Sequence, residues 1–295
     1  MKIGFIGAGK TALGLSLELV RVGYRVNSVY SKSFSSAKHM ASLLPDCQAL
    51  KSAQQVADTN DMVFITTPDD CIRSVVEGLY WHHKQSLLHC SGALSLDVLE
   101  TAENDGARIA TFHPLISFAD VPSAGKLNGC TFALEGSEPL LATMKEIADK
   151  LGGRSIVLKA GDKALYHASA VLACNYIVTL LDMASGIWEE FDISRDEALN
   201  ALLPLLKRTV NNIETTGLPD SLTGPIARGD IDTVRKHIEV LGRSNQSLLS
   251  IYKEMGLKTI PIALDRGLSE EKATALRTLL ENAEFVEKLL IAGKI

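Results

Sequence analysis

The chain has 295 residues, enough for roughly two domains and a large buried core. Hydrophobic residues make up 46% and charged residues 22%, the balance of a soluble globular protein. Lys and Arg number 30 against 35 Asp and Glu, a net charge of −5 with no basic run, so nucleic acid is not an expected partner.

The first strand is predicted at residues 3–6 and ends at Gly7. Gly7, Gly9 and Ala12 fall at the spacing G-x-G-x-x-A within Gly7-Ala8-Gly9-Lys10-Thr11-Ala12, and a helix is predicted at 11–22. A strand, a glycine turn and a helix in this order form the dinucleotide fingerprint. Gly7 permits the tight turn, Gly9 lets a pyrophosphate approach the backbone, and Ala12 lets the helix pack on the strand. The helix N-terminus attracts the phosphates.

The second strand, at 26–30, ends in Ser31-Lys32-Ser33. An NAD site usually places an acid there to bond the ribose 2′-OH. Two hydroxyls and a cation suit a 2′-phosphate instead, so the expected cofactor is NADP. Further strands are predicted at 62–66, 86–89, 108–112, 131–134 and 155–158, with helices at 35–44, 71–80, 96–103 and 139–151. This alternation implies an α/β Rossmann domain, doubly wound on a mostly parallel sheet. From Gly161 onward only helices are predicted, at about 162–191, 195–210, 230–241, 244–255 and 269–291, with Asp230 and Ser269 as N-caps. The expected division is a dinucleotide-binding domain at 1–160 and an all-helical domain at 161–295.

Residues 164–181 contain no Asp, Glu, Lys or Arg. The stretch is rich in Ala and carries His167, Ser169, Asn175 and Thr179, so a helix buried on all sides is expected rather than a membrane span. The five cysteines, Cys47, Cys71, Cys90, Cys130 and Cys174, are odd in number and lack a C-x-x-C pair, which fits a reduced, cytoplasmic setting. The chain enters a strand at once, so no leader is expected. His82, His83, His89 and Cys90 lie close together, but no second cluster completes a tetrahedral set and no metal is expected.

Ligands of such sheets lie beyond the carboxyl ends of the strands. Thr67 and Pro68 are expected on the nicotinamide-side ribose. Ser91 and Gly92 offer a hydroxyl and a backbone N–H to a substrate oxyanion, and His113 follows the strand at 108–112. Lys163 and His167 are one helical turn apart, and Asn175 lies about 80° round the helix from His167. His167 and Asn175 are candidate catalytic groups; a satisfied core histidine with a packing amide is the plainer reading. Lys163 is a candidate substrate contact, and Arg228 suits an acidic substrate group.

Gly7-Ala8-Gly9-Lys10-Thr11-Ala12, His89-Cys90-Ser91-Gly92, Phe112-His113-Pro114-Leu115, Lys163-Ala164-Leu165-Tyr166-His167 and Thr223-Gly224-Pro225-Ile226-Ala227-Arg228-Gly229-Asp230 resemble one group. It is the Rossmann-like proteins carrying the C-terminal domain DUF2520. The chain is more distantly similar to pyrroline-5-carboxylate reductases, ketopantoate reductases and β-hydroxyacid dehydrogenases. The resemblance implies an NADP-binding domain, a helical domain of the 6-phosphogluconate dehydrogenase type, and dimers formed through the latter. His167 falls where these relatives place a catalytic Lys, and Val171 falls where they place an Asn. The expected activity is NADP-dependent reduction of a small carbonyl or imine, with His167 as general acid and Ser91 and His113 holding the substrate. A non-catalytic NADP-binding dimeric sensor and a pyrroline-carboxylate-type imine reductase are the alternatives.

Overall fold

A computed structural model describes residues 1–118 and 127–281. The chain divides into two compact units, Met1–Tyr176 and Ile177–Ile295. The division falls after the expected join at 160, because the first helix past the sheet packs with the first unit.

The first unit is built on eight strands: β1 (Lys2–Ile6), β2 (Arg25–Tyr30), β3 (Gln48–Ala49), β4 (Met62–Ile65), β5 (Ser86–His89), β6 (Arg108–Pro114), β7 (Thr131–Gly136) and β8 (Arg154–Val157). Their order is β3-β2-β1-β4-β5-β6-β7-β8. Neighbours run parallel except β6 and β7, which are antiparallel. Sequence order reverses between β2-β1 and β4, and ligands of doubly wound sheets bind at such a switch point.

Alternation along the strands feeds two cores. Ile3, Phe5, Met62 and Phe64 face one side with α1 (Lys10–Arg21), α2 (Phe34–Ser42) and α6 (Leu140–Lys150). Ile6, Val63 and Ile65 face the other with α3 (Ala53–Thr59), α4 (Asp69–Glu77) and α5 (Glu100–Asn104). Phe5, Phe64, Phe112 and Phe132 form a row across the first face, with centroids 5.2, 6.0 and 4.7 Å apart. Offset and edge-to-face contacts of this kind tie strands together beyond simple area burial. Strand β3 and helix α3 have no counterpart in the sequence reading, since two residues are too few to show alternation.

The single helix expected at 162–191 is interrupted. Helix α7 (Lys163–Ala173) ends at Cys174, which leaves the helical region (φ −127°, ψ −68°). Helix α8 (Asn175–Gly186) and a short 3₁₀ turn follow. The expected burial on all sides is not found: Leu165 is 80% exposed, Leu172 63% and Val178 68%. The run Lys163–Phe191 has the length and composition of a membrane span. Its first turn, however, is fastened to the sheet through Lys163.

In the second unit, α9 (Arg195–Thr216) opens with a capping box between Ser194 and Glu197. Helices α10 (Pro225–Arg228), α11 (Ile231–Ser244), α12 (Gln246–Asp265) and α13 (Glu270–Glu281) surround a core of Ile226, Val234, Ile238, Ile260 and Leu276. Asp230 caps α11 by accepting from Thr233 N–H, as expected. Ser269 Oγ accepts from Lys272 N–H at the start of α13.

Candidate functional site

Gly7 sits at the switch point with φ +112°, and a Cβ there would lie 2.5 Å from the Thr66 carbonyl. Two crossing turns approach so closely that only glycine fits. Thr66 reinforces the crossing by donating from N–H to Ile6 O (2.8 Å) and from Oγ1 to Gly7 O (3.1 Å). Gly9 is the N-cap of α1 and caps it with no side chain. Among the described residues a Cβ at Gly9 would meet nothing within 4 Å, which leaves the space before the helix N-terminus open to a ligand.

A cleft of about 1070 Å³ gathers Gly7, Ala8, Gly9, Ser31, Lys32, Ser33, Thr67 and Pro68. Of the expected cofactor residues, Lys10 and Thr11 do not line it, and Ala12 is buried on the inner face of α1. Ser33 also caps α2, accepting from Ser36 N–H. Thr67 Oγ1 is buried with no hydrogen-bond partner. An orphaned hydroxyl beside an open glycine turn fits an absent polar ligand such as a dinucleotide. A side cavity of about 270 Å³ adjoins the cleft and adds Phe34 and Lys51, which sequence reasoning missed. Lys38 and Lys51 hold their ammonium groups 5.1 and 5.8 Å from the Phe34 ring centre.

The carboxyl ends of β5 and β6 carry a second cluster. His89 closes β5 and is fully buried. Its Nδ1 accepts from Ser91 N–H and its Nε2 donates to Ser95 O, both at 3.2 Å. Burial, followed by the nearby Lys163 charge, pushes this imidazole down to about 4. Ser91 Oγ donates to Asp69 Oδ2 at 2.7 Å and accepts from Ala93 N–H and Leu94 N–H. The expectation that Ser91 presents its hydroxyl to substrate is therefore corrected. That hydroxyl closes the turn and anchors it to the N-terminus of α4.

Three side chains of α7 meet this turn. Lys163 Nζ donates to Ser91 O at 2.7 Å and to Thr111 Oγ1 at 3.4 Å. The side chain assigned to substrate is thus fully buried against protein groups. Burial pushes its ammonium down to about 8. The Tyr166 hydroxyl lies 2.9 Å from His113 Nδ1. Burial pushes this phenol up to about 12. His167 meets His113 edge to face, with centroids 6.2 Å apart.

Both imidazoles lie over Gly92. A Cβ there would sit 2.5 Å from His167 Nδ1 and 2.8 Å from His113 Nε2. Among the described residues His167 Nδ1 is buried with no hydrogen-bond partner. Burial first, then the Lys163, His167 and His89 charges, push His113 down to about 4. His113, His167, Gly92 and Lys163 are thus brought together as the sequence suggested. Tyr166 was missed, although its i+3 spacing from Lys163 places it on the same helical face.

Asn175 does not join them. It is exposed at the first residue of α8, beyond the break at Cys174, so the helical arc that linked it to His167 does not exist. Arg228 belongs to the second unit. It is exposed, with Nη2 3.9 Å from Asp230 Oδ2, and lines a cavity of about 490 Å³ with Arg266 and Lys272. Among the described residues no group of three or more His, Cys, Asp or Glu side chains is arranged to hold a metal.

Residues 1–114 match the model of the Rossmann-like domain, and residues 130–259 match that of the domain of unknown function DUF2520. The chain thus joins a Rossmann-like domain to a DUF2520 domain. Among solved structures it is similar to a protein from Thermotoga maritima, at 26% identity and a TM-score of 0.71 over 90% of this chain and 99% of that one. It is similar to a proposed NADP oxidoreductase from Bacteroides fragilis, at 22% identity and a TM-score of 0.70 over 87% and 96%. It is also similar to the 1-pyrroline-5-carboxylate reductase of Streptococcus pyogenes, at 20% identity and a TM-score of 0.62 over 90% and 98%. The comparison with curated proteins gives no match.

Proposed function

We propose that this DUF2520 protein is an NADP-dependent oxidoreductase that reduces a small carbonyl or imine. The observation that carries the reading is the pair of imidazoles over Gly92. They lie at the carboxyl edge of the same sheet that builds the Gly7–Gly9 cleft. The named relatives, a proposed NADP oxidoreductase and a 1-pyrroline-5-carboxylate reductase, support the same class.

Gly7, Ala8, Gly9 and the N-terminus of α1 would hold the pyrophosphate. Ser31, Lys32 and Ser33 would hold a 2′-phosphate, and Lys51 in the adjoining cavity adds positive charge. Thr67 and Pro68 would flank the nicotinamide ribose. When bound, the nicotinamide supplies hydride. The protein must supply the matching proton to the oxygen or nitrogen of the substrate. At neutral pH an imidazole held near 4 is uncharged and has no imidazolium proton to donate. His113, tied to Tyr166, therefore suits substrate positioning. His167 presents an unpartnered Nδ1 and is the better proton donor.

The exposed apolar residues Leu165, Leu172, Tyr176 and Val178 on α7 and α8 favour a homodimer that covers this face. Five unpaired cysteines favour a reducing compartment such as the cytoplasm. The reading is tested by calorimetric titration with NADPH. A screen of small keto acids and cyclic imines, following NADPH absorbance, tests the chemistry.

A further inference from the structure

Lys163 has no task in the mechanism above, yet it is among the largest fully buried side chains, at 1% exposure. A buried ammonium is unfavourable unless its surroundings hold it. Two observations show what holds this one. Its Nζ donates to the Ser91 carbonyl at 2.7 Å and to Thr111 Oγ1 at 3.4 Å. Thr111 stands directly opposite Glu135 in the antiparallel β6–β7 pair, so the two side chains emerge on one face. Glu135 is 5% exposed, and its Oε2 has no hydrogen-bond partner. A buried carboxylate therefore stands beside the buried ammonium. Asp69 on α4, Cys90 and His89 at the end of β5, His113 on β6, Asp97 and Asp162 complete the titratable surroundings of this pair.

The Ser91 carbonyl shares a planar trans peptide with the Gly92 N–H, and the two point in opposite directions. A cation fixed on the oxygen fixes the direction of the N–H. It also polarises the peptide and makes that N–H a stronger donor. Gly92 is buried, and among the described residues no protein group accepts its N–H. We propose that Lys163 is a positioning residue whose ammonium clamps the Ser91 carbonyl. It thereby seats the Gly92 backbone under His113 and His167 and aims its N–H at the negative charge developing on a reduced substrate. The role in substrate reduction rests on the function proposed above; the clamp itself does not.

The test is nuclear magnetic resonance of the full, isotopically labelled chain, followed from about pH 3 to 10, which spans both the His113 and the Lys163 midpoints. The Lys163 ammonium lies near 8, so its loss of a proton should move the Gly92 amide resonance through a step centred there. A Gly92 amide that stays flat between pH 7 and 9.5 would overturn the clamp, and no variant is needed to see it. In Lys163→Met the step should vanish, and the His113 midpoint should rise by about one unit as a neighbouring cation is lost. Lys163→Arg, which keeps the charge, should leave the His113 midpoint near the wild-type value. An unchanged His113 midpoint in a folded Lys163→Met protein would also overturn the proposal. Calorimetry on the same sample separates the two ideas. A clear Gly92 step without NADPH binding sinks the reductase and keeps the clamp; NADPH binding without the step sinks the clamp alone.

Discussion

The Nδ1 atom of His113 lies 2.9 Å from the hydroxyl of Tyr166, and this contact joins the end of β6 to the first turn of α7. It leaves Nε2 of the same ring directed at Gly92.

The depressed His113 and His89 imidazoles make stability depend on pH. Both are held near 4 in the fold, mainly by burial, against about 6.5 in an unfolded chain. Between these values the unfolded chain binds more protons, so stability falls as pH drops from about 6.5 toward 4. The expected loss is on the order of 1–3 kcal/mol per histidine. Urea denaturation at pH 7 and pH 5 checks it, and equal midpoints would remove the claim.

Gly92→Ala places a methyl group where two imidazole nitrogens stand. We expect the variant to lose about 1–3 kcal/mol of stability through overpacking. Turnover should fall at least roughly tenfold, since both histidines must move. NADPH affinity should stay within about threefold, because the glycine turn at Gly7 lies on other strands. A Gly92→Ala enzyme with wild-type turnover would show that the imidazoles do not meet the substrate at this point.

The polar end of the cleft predicts cofactor choice. NADPH should bind at least about tenfold more tightly than NADH, since one charged phosphate contact contributes roughly 1.4 kcal/mol or more. Lys32→Asp should abolish or reverse that ratio. Equal calorimetric affinities of the wild type for the two cofactors would contradict it.

The exposed face of α7 and α8 predicts self-association. Light scattering at micromolar concentration should give the mass of a dimer. Leu165→Glu or Val178→Glu should shift it toward the monomer, because the desolvation cost of a charge at an apolar contact is not offset by a partner. A wild-type monomer would refute this.

The glycine turn and the succession of strands and helices around it were legible in sequence because each depends on neighbours close in the chain. Gly7, Gly9 and Ala12 announce their backbone needs directly. The fate of Ser91 was not legible, since its partner Asp69 lies 22 residues away, after the neighbouring strand β4. Nor was that of Lys163, whose carbonyl acceptor lies 72 residues away. The stretch 164–181 misled for a different reason. Apolar composition shows that a surface avoids water; it does not show whether the protein's own core or another copy covers it. The break at Cys174 also had no glycine or proline to announce it.

The imidazoles of His113 on β6 and His167 on α7, beside a dinucleotide cleft at the same sheet edge, are proposed to perform a reduction. Its most direct measurement is NADPH oxidation across a panel of small keto acids and cyclic imines, with wild type and His167→Ala side by side. The account predicts that at least one substrate is reduced. His167→Ala should then lower kcat by roughly 10²–10⁴-fold with NADPH binding nearly unchanged. Wild-type protein that binds NADPH but oxidises it with no carbonyl or imine would contradict the account, as would a His167→Ala protein that turns over at the wild-type rate.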